Sequence, residues 1–286
     1  MKKILCPTDF SRASDRALEY AVYIAQHANA HLSLLHVVHL PLTGTTATAL
    51  SASEILGEQM RLASENLKAK CLFLEHEFNA NHAGNFTCDY VLKEALLTDL
   101  AAQLTETEGY DLIVMGTTGH GSTIEELLVG SNTAAVAEEV TCPLLSVPAT
   151  APAPVIERIV YATDYTQEDQ RALEQVIRLG SLFGADIHVV HAVKEETQET
   201  NVRSQQFWAE LKRTYPDVPL HFQEITSRHQ AEGLKHYFEK INGNTMAILR
   251  KEKSFLKELF SQSLAERMTY QAKVPLLVLH ANSKAA

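Results

Sequence analysis

The sequence predicts an α/β protein made of two tandem, doubly wound parallel-sheet domains with a five-stranded sheet in each. Three observations predict it. First, the chain repeats itself: KKILCPTDFSRASDRALEYAVYIAQHANAHLSLLHVV (2–38) is answered by ERIVYATDYTQEDQRALEQVIRLGSLFGADIHVVHAV (157–193). Second, the two units close alike, CPLLSVP (142–148) against VPLLVLH (274–280). Third, short apolar runs without polar alternation are separated by helix-length amphipathic stretches, the mark of strands buried on both faces and linked by helical crossovers. The repeat is domain-sized, so it reads as a duplication and not as a solenoid of short units.

The elements follow in order. Residues 3–6 form a first strand that ends at Pro7, and Ser11 caps a helix running to about residue 28. Residues 31–38 are a second strand. The stretch 40–53 is rich in Thr, Ala and Ser and reads as a loop, followed by a helix over 52–70 and a strand over 87–93. Residues 96–105 are helical, and 111–115 form a strand running into Gly116. Helical segments at 124–128 and 133–140 precede a closing strand at 144–147. A Pro/Ala-rich stretch from Pro148 to Pro154 separates the units, which gives domains at 1–148 and 155–281.

Composition narrows the function. Of 286 residues, 45% are hydrophobic and 21% charged, as in globular proteins. No run reaches the roughly 18–20 apolar residues of a membrane span. Near the N-terminus only Ile4, Leu5 and Cys6 form an apolar run, short of the ~7–15 residues of a secretion signal. The expectation is a cytoplasmic protein with no membrane partner. The net charge is −10, and residues 1–150 hold 8 Lys/Arg against 18 Asp/Glu, whereas 151–286 hold 17 of each. An acidic first half argues against nucleic acid as a partner. Cys6, Cys71, Cys88 and Cys142 show no CxxC spacing and read as buried free thiols.

Ligands of open parallel sheets bind beyond the carboxyl ends of the strands, where strand order reverses. In the first unit this points to Pro7-Thr8-Asp9 and to Met115-Gly116-Thr117-Thr118-Gly119-His120-Gly121-Ser122. Three glycines in six residues leave backbone N–H groups free to wrap an anion, and Gly130-Ser131-Asn132 opens a further helix. No lysine follows, so this is not the GxxxxGK[ST] phosphate loop. Glycine-rich turns also arise for steric reasons, and that alternative stands beside the phosphate reading.

These residues resemble the universal stress protein family, whose ATP-binding members carry G-2x-G-9x-G-[S/T]. The match is Gly116-xx-Gly119 followed by Gly130-Ser131, supported by ILCPTDFS, LLHVV, DLIVMGT and CPLLSVP. Ten residues separate Gly119 from Gly130 where the pattern has nine. The resemblance implies an adenine nucleotide alpha hydrolase-like fold and ATP with Mg2+ as the cofactor of the first domain. It implies that Pro7, Thr8 and Asp9 line an adenosine pocket, that Val37 contacts adenine, and that Met115 and Gly116 run along the nucleoside. Gly119, Gly130, Ser131 and Asn132 would hold the phosphates. A side chain at Gly116 would then be set against those phosphates.

The second unit keeps Asp164, but Leu249-Arg250-Lys251-Glu252-Lys253-Ser254-Phe255 stands where the glycines should be, and no glycine follows Thr245. Its phosphate cradle is lost. Arg250, Lys251, Lys253 and Lys257 read as a solvated basic face or a contact between the halves. Thirteen histidines lack metal-site spacing; His36 and His191 recur at one strand position and suggest a structural hydrogen bond. Trp208 falls on an amphipathic helix and reads as core. No catalytic set is present, so hydrolysis would be slow at most. By the same resemblance, the strands at 144–147 and 276–279 could pair within the chain as an internal pseudo-dimer, leaving room for a homodimer. The expected partners are an adenine nucleotide and an unidentified signalling protein. The competing expectation is a nucleotide-free interaction module with a vestigial pocket.

Overall fold

The structure is a computed structural model and describes residues 1–38, 46–81, 87–117, 131–195, 197–250 and 274–281. The first half contains β1 (Lys3–Pro7), α1 (Arg12–Ala28), β2 (His31–Val38), α2 (Thr46–Asn81), β3 (Cys88–Glu94), α3 (Leu97–Glu108), β4 (Leu112–Thr117), α4 (Ser131–Glu139) and β5 (Leu144–Pro148). The second half contains β6 (Arg158–Ala162), α5 (Gln167–Ser181), β7 (Asp186–Val193), α6 (Gln198–Thr214), β8 (Leu220–Thr226), α7 (Gln230–Lys240), β9 (Thr245–Arg250) and β10 (Leu276–His280).

Among the described residues the strands form one sheet in the order β3-β2-β1-β4-β5-β10-β9-β6-β7-β8. Within each half every pairing is parallel, and order reverses between β1 and β4 and between β6 and β9. The halves meet where β5 and β10 pair antiparallel, with Leu276 opposite Ser146, Leu277 opposite Leu145 and Val278 opposite Leu144. Each strand thereby covers a backbone edge that would otherwise be bare.

The absence of polar alternation has a direct cause. Along β1, Ile4 and Cys6 face one core and Leu5 the other, and all three are fully buried. One core packs α1, α2, α5 and α6 against the sheet, and the opposite core packs α3, α4 and α7. Burying each such aliphatic side chain contributes roughly 1.5–3 kcal/mol, so a polar residue at these strand positions would be costly.

The local start signals hold. The Ser11 side chain accepts from Ser14 N–H at 3.3 Å to cap α1, and Asn29 ends that helix in the left-handed region at φ 49°. Helix α5 opens with a reciprocal capping box between Thr166 and Asp169. The linker is anchored: Ala151 and Ile156 are buried, and Tyr20 of α1 donates to the Pro152 carbonyl.

One element departs from expectation. Residues 46–53, read from the sequence as loop, belong to α2, which also continues beyond residue 70 to Asn81. No proline interrupts 46–81, and Thr and Ser cost a helix only a few tenths of a kcal/mol each relative to alanine. The helical segment expected at 124–128 lies outside the described residues.

Candidate functional site

A cleft of about 490 Å³ opens at the carboxyl ends of β1 and β4, where the strand order of the first half reverses. Its size falls within the range of small-molecule sites. Three helices begin at its rim. Ser11, Ala13 and Ser14 bring in the start of α1, Leu96, Leu97 and Thr98 that of α3, and Asn132 and Thr133 that of α4. Helix starts present unpaired N–H groups and partial positive charge, so the cleft is biased toward anions although no lysine or arginine lines it among the described residues. On the apolar side stand Leu35, Val37 and Met115.

The turn after β1 is tightly built. Thr8 N–H donates to the Leu35 carbonyl at 2.8 Å, and Thr8 Oγ1 accepts from Phe10 N–H at 3.1 Å. His36 Nδ1 lies 2.7 Å from the Thr8 carbonyl. A carbonyl only accepts, so Nδ1 carries the proton. The same pattern recurs in the second half. Thr163 N–H donates to the Val190 carbonyl, Tyr165 N–H donates to Thr163 Oγ1, and His191 Nδ1 lies 2.6 Å from the Thr163 carbonyl. The paired histidines are therefore structural, as the repeat suggested.

Among the described residues Asp9 is the carboxylate that lines the cleft. Burial raises its carboxyl, but hydrogen bonds from the Ser11 side chain and backbone and from Ser14 outweigh this and hold it below the ordinary range. A carboxylate here suits ribose hydroxyls or an exocyclic amine better than phosphate oxygens. Among the described residues no group of three His, Cys, Asp or Glu side chains could hold a metal ion. A magnesium ion at this cleft would depend on oxygens of its nucleotide, as Mg2+ commonly does.

Of the residues singled out from the sequence, Pro7, Thr8, Asp9, Val37, Met115, Gly116 and Asn132 line the cleft together. Ser131 is the first residue of α4. Gly119 and Gly130 lie outside the described residues, as do Lys251, Lys253 and Lys257. Gly116 needs its bare Cα for a reason the sequence did not reveal. A Cβ there would sit 2.3 Å from the Ala13 carbonyl carbon and oxygen and 2.7 Å from Ser14 N. A side chain at Gly116 therefore meets the backbone of α1 before anything bound in the cleft, which corrects the expectation that it would meet phosphates.

Sequence reasoning missed Ser11, Ser14, His36, Leu96 to Thr98 and Thr133 as wall residues. A usable signal existed. Each sits at the start of a helix or the end of a strand on the same rim, so listing every carboxyl-end turn of the half would have found them.

The second half carries different residues at the corresponding positions. Leu249 is buried at the position corresponding to Gly116. Asp169, at the place of Ser14, is buried and accepts from Tyr161 Oη, Asp164 N, Thr166 N and Thr166 Oγ1. A buried carboxylate in the turn repels an anion, and its hydrogen bonds use up the donors an anion would need. Arg250 approaches Glu138 of α4 at 3.7 Å, so it contributes to the contact between halves. Trp208 is partly buried, stacks on Phe222 at 5.1 Å and lies under the Lys212 ammonium.

Comparison with known proteins adds the following. The family model described as "Universal stress protein family" matches residues 1–148 and again 156–280. Universal stress protein MJ0531 of Methanocaldococcus jannaschii is 29% identical over 147 residues, covering 51% of this chain and 81% of the relative. A universal stress protein of Archaeoglobus fulgidus shares the fold with a TM-score of 0.67 at 17% identity, covering 98% of each chain. A universal stress protein solved in complex with cAMP is 27% identical over 51% of this chain and 96% of its own, with a TM-score of 0.35. Among the described residues no helix is long and apolar enough to cross a membrane.

Proposed function

The chain belongs to the universal stress protein family, and from that premise we propose that its first half binds an adenine nucleotide, ATP with Mg2+, in the cleft between β1 and β4. The single observation that carries this is the convergence of three helix starts on a cleft with an apolar wall and, among the described residues, one carboxylate. The base would lie against Val37, Leu35 and Met115, and Asp9 would accept from the ribose or from the amine of the base. Asn132, Ser131 and the glycine-rich segment with Gly119 and Gly130 would hold the phosphates. The second half, with Leu249 and Asp169 in place of Gly116 and Ser14, would serve as a non-binding pseudo-dimer partner paired through β5 and β10. Its role would be nucleotide-dependent signalling in stress adaptation, in the cytoplasm, through a protein partner and with room for a homodimer of whole chains.

Isothermal titration of the whole chain with Mg-ATP tests this, with one site per chain expected. No heat and no thermal shift at millimolar nucleotide would leave the second reading, a nucleotide-free interaction module. One observation favours that alternative: Gly116 is demanded by the packing of α1, so its presence does not by itself signal a phosphate.

A further inference from the structure

Cys71 and Cys88 are 17 positions apart, on different elements, and their sulfurs lie 2.9 Å apart. Cys71 is in the C-terminal third of α2, and Cys88 opens the outermost strand β3. Both line one surface groove with Lys68, Glu75, Asp89 and Tyr90, and Cys88 is partly exposed while Cys71 is nearly buried. The remaining cysteines, Cys6 and Cys142, are buried elsewhere in the core. We propose that Cys71 and Cys88 form a reversible disulfide in response to a hydroperoxide, fastening α2 to the edge strand β3. This stands independently of the nucleotide reading.

The geometry needs little motion. The sulfurs must close from 2.9 Å to the roughly 2.05 Å of a disulfide bond. Both already point into one groove. Cys88 S–H donates to Cys71, and its thiol is pushed well above the ordinary range, first by that hydrogen bond, then by burial and by Cys71, Glu75 and Asp89. Cys71 S–H in turn donates to the Asp89 carbonyl at 3.2 Å, so the two sulfurs are held side by side.

The chemistry balances in two steps. The thiolate of one cysteine attacks one oxygen of the hydroperoxide, the O–O bond breaks, and the departing alkoxide or hydroxide takes a proton to leave as alcohol or water. The product is a sulfenic acid on that cysteine. The sulfur of the second cysteine then attacks the oxidised sulfur, the S–O bond breaks, and the hydroxide leaves with the second cysteine's proton as water. The two sulfurs have together given up two electrons, and the peroxide has received them. An external dithiol reverses the step by exchange.

Mass spectrometry of the full chain tests this directly. No Lys or Arg lies between Cys71 and Lys93, so trypsin releases both cysteines in one peptide, 71–93. After brief exposure of the folded protein to hydrogen peroxide and alkylation in denaturant, that peptide should be two hydrogens lighter than its reduced form and unalkylated. Cys6 and Cys142 should alkylate fully, and dithiothreitol should restore both thiols of 71–93. In at least one of the single variants Cys71→Ser and Cys88→Ser, a dimedone adduct should appear on the cysteine that remains. The proposal is overturned if 71–93 retains both free thiols after peroxide, if Cys88 runs to sulfinic acid with Cys71 untouched, or if the bridge links two chains.

Discussion

Phe10 and Tyr165 occupy equivalent places in the two halves, and both hold the left-handed backbone region, at φ 61° and 63°. Each ring lies against the histidine that ties down its own turn, Phe10 on His36 at 4.7 Å between centroids and Tyr165 on His191 at 4.1 Å. A bulky residue with positive φ costs of order 1 kcal/mol, and it persists only where its surroundings over-determine it. Here a threonine hydroxyl, a histidine and an aromatic contact do so twice.

Removing one of these supports should loosen the turn. His36→Ala leaves the Thr8 carbonyl without its side-chain donor and strips the face from Phe10. A stability loss of about 1–2 kcal/mol is expected, read as a shift of the urea midpoint at unchanged slope. An unchanged midpoint would mean that the ring contact and hydrogen bond contribute nothing.

Gly116→Ala should damage folding and the cleft together, because the added carbon meets the backbone at Ala13 and Ser14. Overpacking against main chain is expected to cost about 1–3 kcal/mol, with a lowered melting temperature even when no nucleotide is present. Loss of nucleotide affinity at full stability would instead place the glycine's importance at the ligand.

His280, at the end of β10, should make the protein acid-sensitive. Burial, then the charge of Arg250, lower its pKa from 6.5 to about 4, and its Nε2 has no hydrogen-bond partner among the described residues. The folded state thus holds the ring neutral where the unfolded chain takes up a proton. The contribution is fully present above pH 6.5 and is lost as pH falls toward about 4, to a total of ~3 kcal/mol. In His280→Phe, denaturation midpoints measured across that window should lose this slope.

Asp9 should act in a lower window. Its folded carboxyl lies below the ordinary value of 3.8, so its contribution is present above that value and disappears as pH falls through the depressed one. Asp9→Asn should flatten the corresponding acid limb and should also weaken Mg-ATP binding, measured by titration at pH 7. Full affinity in the asparagine variant would remove Asp9 from the nucleoside contacts.

Residues 1–152 produced alone would bare the edge of β5 that β10 normally covers. Two copies should pair through that edge in the same antiparallel sense, giving a dimer by light scattering, and Leu145→Lys should return it to monomer. A monomeric fragment would show that β5 does not carry the association.

Much of this fold could be read from residues because the determining interactions are local or repeated. The strands over 3–7 and 31–38 announce themselves as uninterrupted apolar runs, and Ser11 marks the helix start that the structure uses. The extent of α2 was less legible, since nothing within 46–81 signals either end strongly. At the site, Thr8, Asp9 and Met115 followed from their place after strands. The steric demand on Gly116 did not, because it comes from α1, a hundred residues away in sequence. The nearness of Cys71 to Cys88 was equally hidden, since it arises from how α2 lies across β3.

The reversed direction of β10 against β5 also fixes which way each half faces. Strands that point up on one side of the joint point down on the other, so the turn at Thr8 and the turn at Thr163 open on opposite rims of the sheet. No small molecule could touch both at once. The halves touch along the β5–β10 pair and also where Tyr23 stacks on Phe183 at 4.9 Å and Arg250 approaches Glu138 at 3.7 Å. Among the described residues the two turns are therefore joined through these central contacts and not through a shared mouth.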